Sequence, residues 1–170
     1  MVKNIRIAAI SILFLAVITI LGCSVAPGVV RAVDGNSVQV YYTGKLSDGT
    51  IFDSSAGRAP LEFKIGSNAV IPGFEKAVVG MAVGEKKTIT IPADEAYGPH
   101  KDTMVGEISW NQLPKDLKPQ VGQTLQSTQS DGSVIMVTIT KITDTTVTID
   151  ANHPLAGLDL TFEIELVKIL

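Results

Sequence analysis

The chain has 170 residues, of which 45% are hydrophobic, 5% aromatic and 18% charged, and its formal net charge is −3 at pH 7. A chain of this length forms one compact domain, or one domain with a small appendage. Because the balance is acidic and the body of the chain has no basic run, nucleic acid is not expected as a partner. Aromatic residues are scarce, so a cluster of them would indicate a site.

The first 22 residues predict an export signal. Lys3 and Arg6 precede an uncharged apolar run, and Cys23 follows that run directly. The triplet ILG before the cysteine resembles a bacterial lipobox, in which a lipid is attached to the cysteine and the signal is removed. Cys23 is the only cysteine, which excludes an internal disulfide. The alternative is an uncleaved signal anchor, because an apolar run of this length is close to the shortest that spans a bilayer.

Residues 23–34 are predicted to be a tether between the anchor and the folded body. A lipid at Cys23 implies an extracytoplasmic lipoprotein, anchored in the cell membrane or the outer membrane. Without the signal the body loses two basic residues and becomes more acidic. We expect a monomer.

Alternating apolar and polar residues predict antiparallel strands with one buried face. The stretches SVQVYY and KKTITI alternate in this way, and LTFEIELVKI near the C-terminus does so most clearly. Within YYTGKLSDGTIFDSS, at 41–55, the turn residues Ser47, Asp48 and Gly49 predict a hairpin. This hairpin would bring two aromatic residues and Asp53 together, as a binding cleft requires.

A single helix is predicted in VIPGFEKAVVGMAVGE. Pro72 is a typical first residue of a helix, and Gly80 is a typical stop. Phe74, Ala77, Val78 and Met81 are spaced to form one apolar stripe. One helix lying across a twisted antiparallel sheet is an α+β half-barrel.

The segment at 99–150 has a different composition, rich in Thr, Ser and Gln. It predicts three or four strands and no long helix, so we interpret it as a small β-rich inserted domain. Two adjacent chain crossings would join it to its host, and it could then move against that host. In VIMVTITKI, the prediction places Val134, Met136 and Ile142 on one face and Ile135, Val137 and Ile139 on the other. One face would then remain open to an unfolded chain.

Three blocks resemble the FKBP-type peptidyl-prolyl cis-trans isomerases in order and spacing: VYYTGKLSDGTIFDSS, PLEFKIGSNAVIPGFEKAVVGMAVGEKKTITIPADEAYG and LTFEIELVKI. The segment that ends in IDANHPLAGLDLTFEIE is similar to the SlyD-like branch, in which an insert-in-flap chaperone domain interrupts the loop after AYG. The resemblance implies an FKBP-like α+β fold, with an antiparallel half-barrel sheet wrapped on one short helix. It assigns 35–98 and 151–170 to the isomerase domain and 99–150 to the insert.

The resemblance also implies a proline pocket. It gives Asp53 the role of orienting a hydroxyl or holding the rotating carbonyl, and it makes the Tyr97 hydroxyl a donor to the bound peptide. Tyr42 is the third implied catalytic residue. The other pocket residues it implies are Phe52, Leu61, Phe63, Val70, Ile71, Phe74, His153, Leu155 and Phe162. Many members have Trp where this chain has Phe74, and Phe where it has Leu61, which argues against tight binding of the family's macrolide inhibitors.

Several of these residues also have simpler explanations. Phe63 and Phe162 alternate with polar neighbours and could be plain core residues, and Phe74 belongs to the core in either case. His153 could be a loop residue without a role. Asp53 could be a turn cap, although the hairpin turn already has its own Asp.

No metal or cofactor is predicted. His100 is isolated in the sequence, and the chain ends in VKIL without the His- and Cys-rich tail by which many SlyD proteins bind nickel. No G-x-S-x-G, phosphate-binding loop or cysteine pair is present. Two functions remain. The first is a prolyl isomerase acting on unfolded or partly folded polypeptides, with clients bound by the insert; the second is a holdase-type chaperone with a weak or vestigial pocket.

Overall fold

The structure is a computed structural model that describes residues 28–114, 116–129 and 131–170. The predicted signal, the lipid site at Cys23 and the first part of the tether lie outside the described residues. Its elements in chain order are β1 Ser37–Lys45, β2 Ile51–Ser54, β3 Leu61–Lys64, α1 Pro72–Val78, β4 Lys86–Ile91, β5 Val105–Ser109, β6 Thr124–Thr128, β7 Val134–Ile142, β8 Thr146–Asp150 and β9 Leu160–Ile169. No helix among the described residues has both the length and the apolar character needed to cross a membrane.

The larger of two antiparallel sheets has five strands, in the order β2-β1-β9-β4. The fifth strand, β3, pairs with the first half of β1, and β2 pairs with its last residues. The sheet is open at its edges and curves over α1, which confirms the predicted α+β half-barrel. The alternating pattern of β9 also holds, since Leu160, Phe162, Ile164 and Leu166 are all buried.

Helix α1 packs its predicted stripe against this sheet. Phe74, Ala77 and Val78 are buried on the helix, whereas Met81, which the prediction placed on the same stripe, lies in the turn beyond the helix and is buried there. Pro72 occupies the first turn, and Gly80 follows the helix with a φ of 82°, a left-handed conformation that glycine adopts without strain. The start and the end of the helix are therefore where the sequence predicts them.

The hairpin between β1 and β2 closes through the predicted turn residues. The Asp48 carboxylate accepts a hydrogen bond from the Thr50 N–H at 2.8 Å, and Gly49 has a φ of 85°. As a result Tyr42 and Asp53 lie on paired strands with their side chains in contact.

The folded body begins earlier than the prediction placed it. Ala32 is completely buried, and its N–H donates to the Met81 carbonyl at 2.8 Å. Its neighbour Arg31 forms an isolated bridge with Ala82 and an ion pair with Glu85. Residues 31 and 32 thus belong to the domain and not to the tether. The sequence did not indicate this, because the burial of an alanine without periodic apolar neighbours leaves no pattern.

The segment predicted to be an insert contains the second antiparallel sheet, which has four strands in the order β5-β8-β7-β6. On β7, Val137 and Ile139 are buried while Val134 and Met136 are 59% and 54% exposed, as their alternation predicts. The predicted position of Ile142 on the exposed face is wrong. The pairing shifts by one residue between Ile139 and Lys141, which turns the rest of the strand over and places Ile142 opposite the buried Val147.

Candidate active site

A small apolar cavity lies between α1, the β1–β2 hairpin and β9. Its volume is about 170 Å³. The segment before the helix forms one wall, because Ile71 caps the helix in an extended conformation and turns the chain there. The residues that line the cavity are Tyr42, Phe52, Asp53, Leu61, Ala69, Val70, Ile71, Phe74, Tyr97 and Phe162. All of them except Ala69 are residues that the sequence predicts for the pocket.

Phe74 is at the centre of the aromatic cluster that forms the cavity floor. Its ring meets the rings of Phe162 and Tyr42 edge-to-face, at centroid distances of 5.2 and 5.8 Å. Phe52 meets Phe162 in the same way at 5.6 Å. Edge-to-face contacts of this kind stabilise the rings beyond their buried area and fix their orientation. The floor is therefore a rigid apolar surface.

A glycine allows this packing, although the sequence analysis missed it. Gly44 lies opposite Phe162 in the pairing of β1 with β9. A Cβ atom at Gly44 would lie 2.6 Å from Cζ of Phe52 and 3.0 Å from Cε1 of Phe162. A glycine inside a strand often marks such a close approach, so the signal was present in the sequence.

One wall of the cavity is polar. The Tyr42 hydroxyl donates a hydrogen bond of 2.6 Å to Oδ2 of Asp53. Asp53 Oδ1 accepts from the Ser54 N–H at 2.8 Å and from Nη2 of Arg58 at 2.9 Å. Arg58 also donates to the Ser54 carbonyl. Asp53 thus accepts from the hydroxyl of a neighbouring tyrosine, and Arg58 is a partner that the sequence analysis missed.

These contacts set the charge of the site. The hydrogen bond from Tyr42 is the main cause that lowers the pKa of Asp53, and Arg58 adds to it against the opposing effect of burial. Burial first, and then the hydrogen bond to Asp53, raise the pKa of Tyr42 to about 12. Asp53 is therefore an anion and Tyr42 a neutral donor across the physiological pH range.

Ser55 fixes the backbone from which Tyr42 projects. Its hydroxyl accepts from the Tyr42 N–H at 2.8 Å and lies 3.2 Å from the Tyr42 carbonyl oxygen. Ser55 is only 3% exposed, and such a buried hydroxyl needs its partners. It is a supporting residue that no sequence pattern indicated, because a serine beside a turn is common.

Tyr97 stands at the open side of the cavity, 41% exposed. Its ring stacks on the imidazole of His153, with a centroid distance of 3.8 Å and an interplanar angle of 2°. His153 Nδ1 accepts a hydrogen bond of 3.1 Å from the Leu155 N–H. His153 therefore touches a cavity residue and does not line the cavity itself.

Two other predicted residues also lie behind the cavity wall. Phe63 is 5% exposed and packs on Phe74 with a centroid distance of 6.0 Å, as a core residue does. Leu155 is partly buried against the same core. Alternation in the strand predicted the burial of Phe63 and could not tell core from cavity.

A larger groove, of about 380 Å³, lies on the outer face of the same sheet. Its lining includes Lys86 and Glu165, which form an ion pair at 3.2 Å. An apolar ring bound there would take these charged groups out of water, which costs free energy. The smaller cavity is the better site for an apolar ligand group. Within the described ranges, no three His, Cys, Asp or Glu side chains are grouped so as to hold a metal ion.

Comparison with known proteins agrees with this geometry. The sequence model of the FKBP-type peptidyl-prolyl cis-trans isomerases matches residues 28–167. The chain belongs to this family. The short-type peptidyl-prolyl cis-trans isomerase of Methanocaldococcus jannaschii is 37% identical over 134 residues, which cover 78% of this chain and 82% of that protein.

Two bacterial FKBP-type isomerases are also similar over much of the chain. The FKBP-type 16 kDa peptidyl-prolyl cis-trans isomerase of Escherichia coli is 33% identical over 141 residues, 82% of this chain and 95% of that protein. The isomerase SlyD of Treponema pallidum is 35% identical over 127 residues, 75% of this chain and 72% of that protein. The predicted resemblance to SlyD-like FKBP isomerases is confirmed, and the chain is a peptidyl-prolyl isomerase.

Proposed function

We propose that the aromatic cavity binds the proline ring of a folding polypeptide and that the insert holds the same polypeptide while the bond rotates. We further propose that the protein works outside the cytoplasm, on a lipid anchor at Cys23. The observation that carries the first part is the aromatic floor around Phe74, closed on one side by the Tyr42–Asp53 pair.

The cavity suits the transition state of X–Pro rotation. Amide resonance keeps the peptide planar and imposes a barrier of about 18–20 kcal/mol. The planar amide is more dipolar than the twisted one, so removing water from it raises the ground state relative to the transition state. The rings of Phe74 and Phe162 would hold the proline ring and exclude water from the amide.

Polar groups at the rim would hold the rest of the peptide. The Tyr97 hydroxyl is on an exposed ring at the cavity mouth and would donate to a peptide carbonyl. Asp53 already accepts from three donors, so its role would be electrostatic, through the field of a fixed anion beside the rotating carbonyl. Tyr42 would act by keeping that anion in place.

A second cleft supports client binding by the insert. It has a volume of about 380 Å³, and its apolar lining comes mainly from Met104, Ile135, Val137 and Ile149. The first residues of β5 and Ala151, which directly follows β8, also line it. It therefore lies at the end of the insert that joins the isomerase sheet. A chain bound there would present its prolines to the cavity at a raised effective concentration.

The opposite face of β7 is the second surface that could hold a client. Val134 and Met136 are exposed there, and Met is flexible and polarisable enough to accept varied partners. Their neighbours on β6, however, are Thr128 and Gln126, so this face is a mixed surface. We favour the cleft, which the sequence analysis did not predict, because it is concave and apolar.

The proposed location rests on the N-terminal sequence. Since Arg31 and Ala32 are part of the folded domain, residues 24–30 alone would link a lipid on Cys23 to the body. A fully extended segment of that length reaches about 25 Å. The domain would be held close to the membrane surface.

The decisive experiment replaces residues 103–149 with a short Gly-Ser loop. This keeps His100, Asp150 and Asn152, which tie the two chain crossings together. Activity on a proline tetrapeptide should change little, whereas catalysed refolding of a protein limited by prolyl isomerisation should slow by roughly tenfold to a hundredfold. Equal losses on both substrates would make the insert a structural part of the pocket. No tetrapeptide activity, with aggregation still suppressed by the parent chain, would favour the holdase alternative.

A pair of neighbouring substitutions separates the two faces of β7. Ile135→Ser changes the cleft, and Met136→Ser changes the opposite face of the same strand. If the cleft binds clients, Ile135→Ser alone slows protein refolding while both variants keep tetrapeptide activity. A larger effect of Met136→Ser would move the client site to the other face.

A further inference from the structure

The side chain of Asn152 joins the two chain crossings between the isomerase sheet and the insert. The Asn152 amide accepts from the Lys101 N–H at 2.9 Å and donates to the Lys101 carbonyl at 3.0 Å. Its remaining N–H donates to Oδ1 of Asp150 at 2.7 Å. The amide thus uses both of its hydrogens and its oxygen, which fixes its orientation.

A histidine and a carboxylate extend this contact. His100 Nε2 lies 2.8 Å from Oδ2 of Asp150, and the backbone N–H of Asn152 also donates to Oδ1 of Asp150, at 2.8 Å. His100 is on the outgoing crossing, and Asp150 is the last residue of β8 on the returning one. We call His100, Lys101, Asp150 and Asn152 the junction cluster.

The returning crossing leads directly into the cavity wall. The residue after Asn152 is His153, whose ring stacks on Tyr97. Tyr97 itself lies three residues before His100, on the outgoing crossing. Gly157 N–H also donates to the Gly98 carbonyl at 2.8 Å, which joins the crossings again beyond the stack. The Tyr97–His153 stack is therefore held between two fixed points.

We propose that Asn152 is a positioning residue for the isomerase reaction: by holding the two crossings in register, it fixes His153 under Tyr97 and couples the position of the insert to the cavity. Asn152 touches no substrate in this role. It acts through the stack, so its loss should widen the range of positions open to the Tyr97 ring. The proposal rests on the role proposed above for Tyr97 at the cavity mouth.

A merely structural asparagine would behave differently. Removing it would lower the stability of the insert and leave the folded cavity as it was. A positioning asparagine would change the turnover of the folded protein on a short peptide that does not reach the insert. The two cases can be separated in one set of variants of the full chain.

The test compares Asn152→Ala with Asp131→Ala. Asp131 forms a similar local contact, to the Ser133 N–H and hydroxyl, in the β6–β7 turn of the insert. We expect Asn152→Ala to lower kcat/KM on a proline tetrapeptide by about twofold to tenfold, the effect of losing one of the two hydrogen bonds between its side chain and the Lys101 backbone. Asp131→Ala should leave kcat/KM unchanged. Both are measured well below the unfolding transition.

Nuclear magnetic resonance supplies a readout independent of activity. The chain has two histidines, so the imidazole signals of His100 and His153 can be assigned by substitution. In Asn152→Ala the ring signals of Tyr97 and His153 should lose the ring-current shifts of a stacked pair. Unchanged shifts together with unchanged kcat/KM would overturn the proposal. Changed shifts with unchanged kcat/KM would overturn its catalytic part.

The cluster should also respond to pH through His100. The groups that face this ring are Asp150 and the side-chain nitrogen of Asn152 on the returning crossing, the latter 3.2 Å from Nε2, and Asp102 with an oxygen 3.6 Å from Nδ1. The hydrogen bond to Asp150 is the main cause that raises the pKa of His100, and the charge of Asp102 adds to it. Its stabilising contribution is complete below the ordinary value of 6.5 and is lost as the pH rises through the raised pKa.

His100→Gln keeps a hydrogen-bond donor and cannot titrate. The ratio of wild-type to His100→Gln activity on the tetrapeptide should therefore fall as the pH rises past neutrality. A ratio that is constant with pH, with the Tyr97 and His153 signals equally unaffected, would contradict the coupling. Tyr97→Phe tests the role of the tyrosine hydroxyl separately. If Tyr97→Phe is fully active while Asn152→Ala is impaired, the hydroxyl role fails and the positioning of the ring stands.

Discussion

The Tyr42 hydroxyl lies 2.6 Å from Oδ2 of Asp53, across the paired strands of one hairpin. This short contact places a neutral donor and a fixed anion at the edge of an aromatic floor. It explains why a hairpin in a chain so poor in aromatic residues places Tyr42, Phe52 and a carboxylate at one cavity. The pair can be tested without disturbing the hairpin turn, which Asp48 closes independently.

Asp53→Asn should lower kcat/KM on a proline tetrapeptide by roughly tenfold, because it removes the negative charge that holds Tyr42 and Arg58. Asp48→Asn is the matched control in the same hairpin, and it should be fully active. Circular dichroism should show both variants folded. Full activity of Asp53→Asn would remove the carboxylate from the mechanism.

The contribution of the Tyr42–Asp53 pair to stability should depend on pH. Because the pKa of Asp53 is lowered in the folded state, its contribution is present above its ordinary value of 3.8 and is lost as the pH falls through the lowered pKa. The difference in free energy of unfolding between the wild type and Asp53→Asn should therefore shrink in acid. A difference that is the same at neutral and acid pH would contradict this.

The Tyr42 hydroxyl should ionise at a higher pH than an ordinary tyrosine. Its pKa of about 12 lies above the ordinary 10.0, so a spectrophotometric titration should show a tyrosine that ionises near pH 12. The Tyr42→Phe variant should lack that step. Its stabilising contribution is complete below pH 10 and disappears as the pH rises through the raised value. If the step persists in Tyr42→Phe, it belongs to another group.

Gly44→Ala should push the Phe52 ring away from Phe162. The added Cβ would lie too close to Phe52 for the present packing, so we expect a weakened affinity for proline peptides and a loss of about 1–3 kcal/mol of stability. Gly106→Ala is the control, since it lies in strand β5 with no atom within 4 Å of the added carbon. Calorimetry of the two variants measures the loss of stability, and peptide kinetics measures the loss of affinity.

Substitutions of Phe162 and Phe63 can distinguish an effect on the cavity from an effect on the core. Each is 5% exposed, so each Ala substitution should cost about 3–5 kcal/mol of stability. Only Phe162 lines the cavity, and only Phe162→Ala should also lower the activity per folded molecule. Equal activity losses in the two variants would mean that packing alone explains the effect of Phe162.

Cys23→Ser tests the proposed anchor. If Cys23 is lipidated, mass spectrometry of the membrane fraction of the parent should show an acylated N-terminal cysteine. The variant should keep its signal and lack the lipid. Two or three acyl chains are enough for stable attachment, whereas one short chain is not. An intact, unmodified N-terminus in the parent would favour the uncleaved anchor.

The strands and the helix could be predicted because each has a local pattern, whereas the residues of the cavity floor were predicted from the resemblance to a known family. Leu160 and Phe162 alternate with polar residues, and Pro72 and Gly80 mark the ends of the helix. Arg58 could not be predicted as a partner of Asp53, since an exposed arginine in a loop carries no pattern.

Residues that depend on long-range contacts were missed or misplaced. Ala32 is buried only because the turn after the helix receives it. Ile142 changes face because of a register shift between strands, which leaves no trace in the alternation of β7 itself. His100 appeared isolated in the sequence because Asp150, its partner, is 50 residues away along the chain.

The bridge between Arg31 and Ala82 fixes the place where the N-terminal segment joins the isomerase sheet. It brings the N-terminal segment in beside Glu85, just before β4 begins, whereas the insert leaves after β4 ends at Ile91. The two attachments are therefore at opposite ends of the same strand. If a lipid holds the N-terminus, the isomerase sheet stands between the bilayer and the insert. The insert would then lie on the side away from the attachment point, where a polypeptide arriving from the surrounding compartment can reach it.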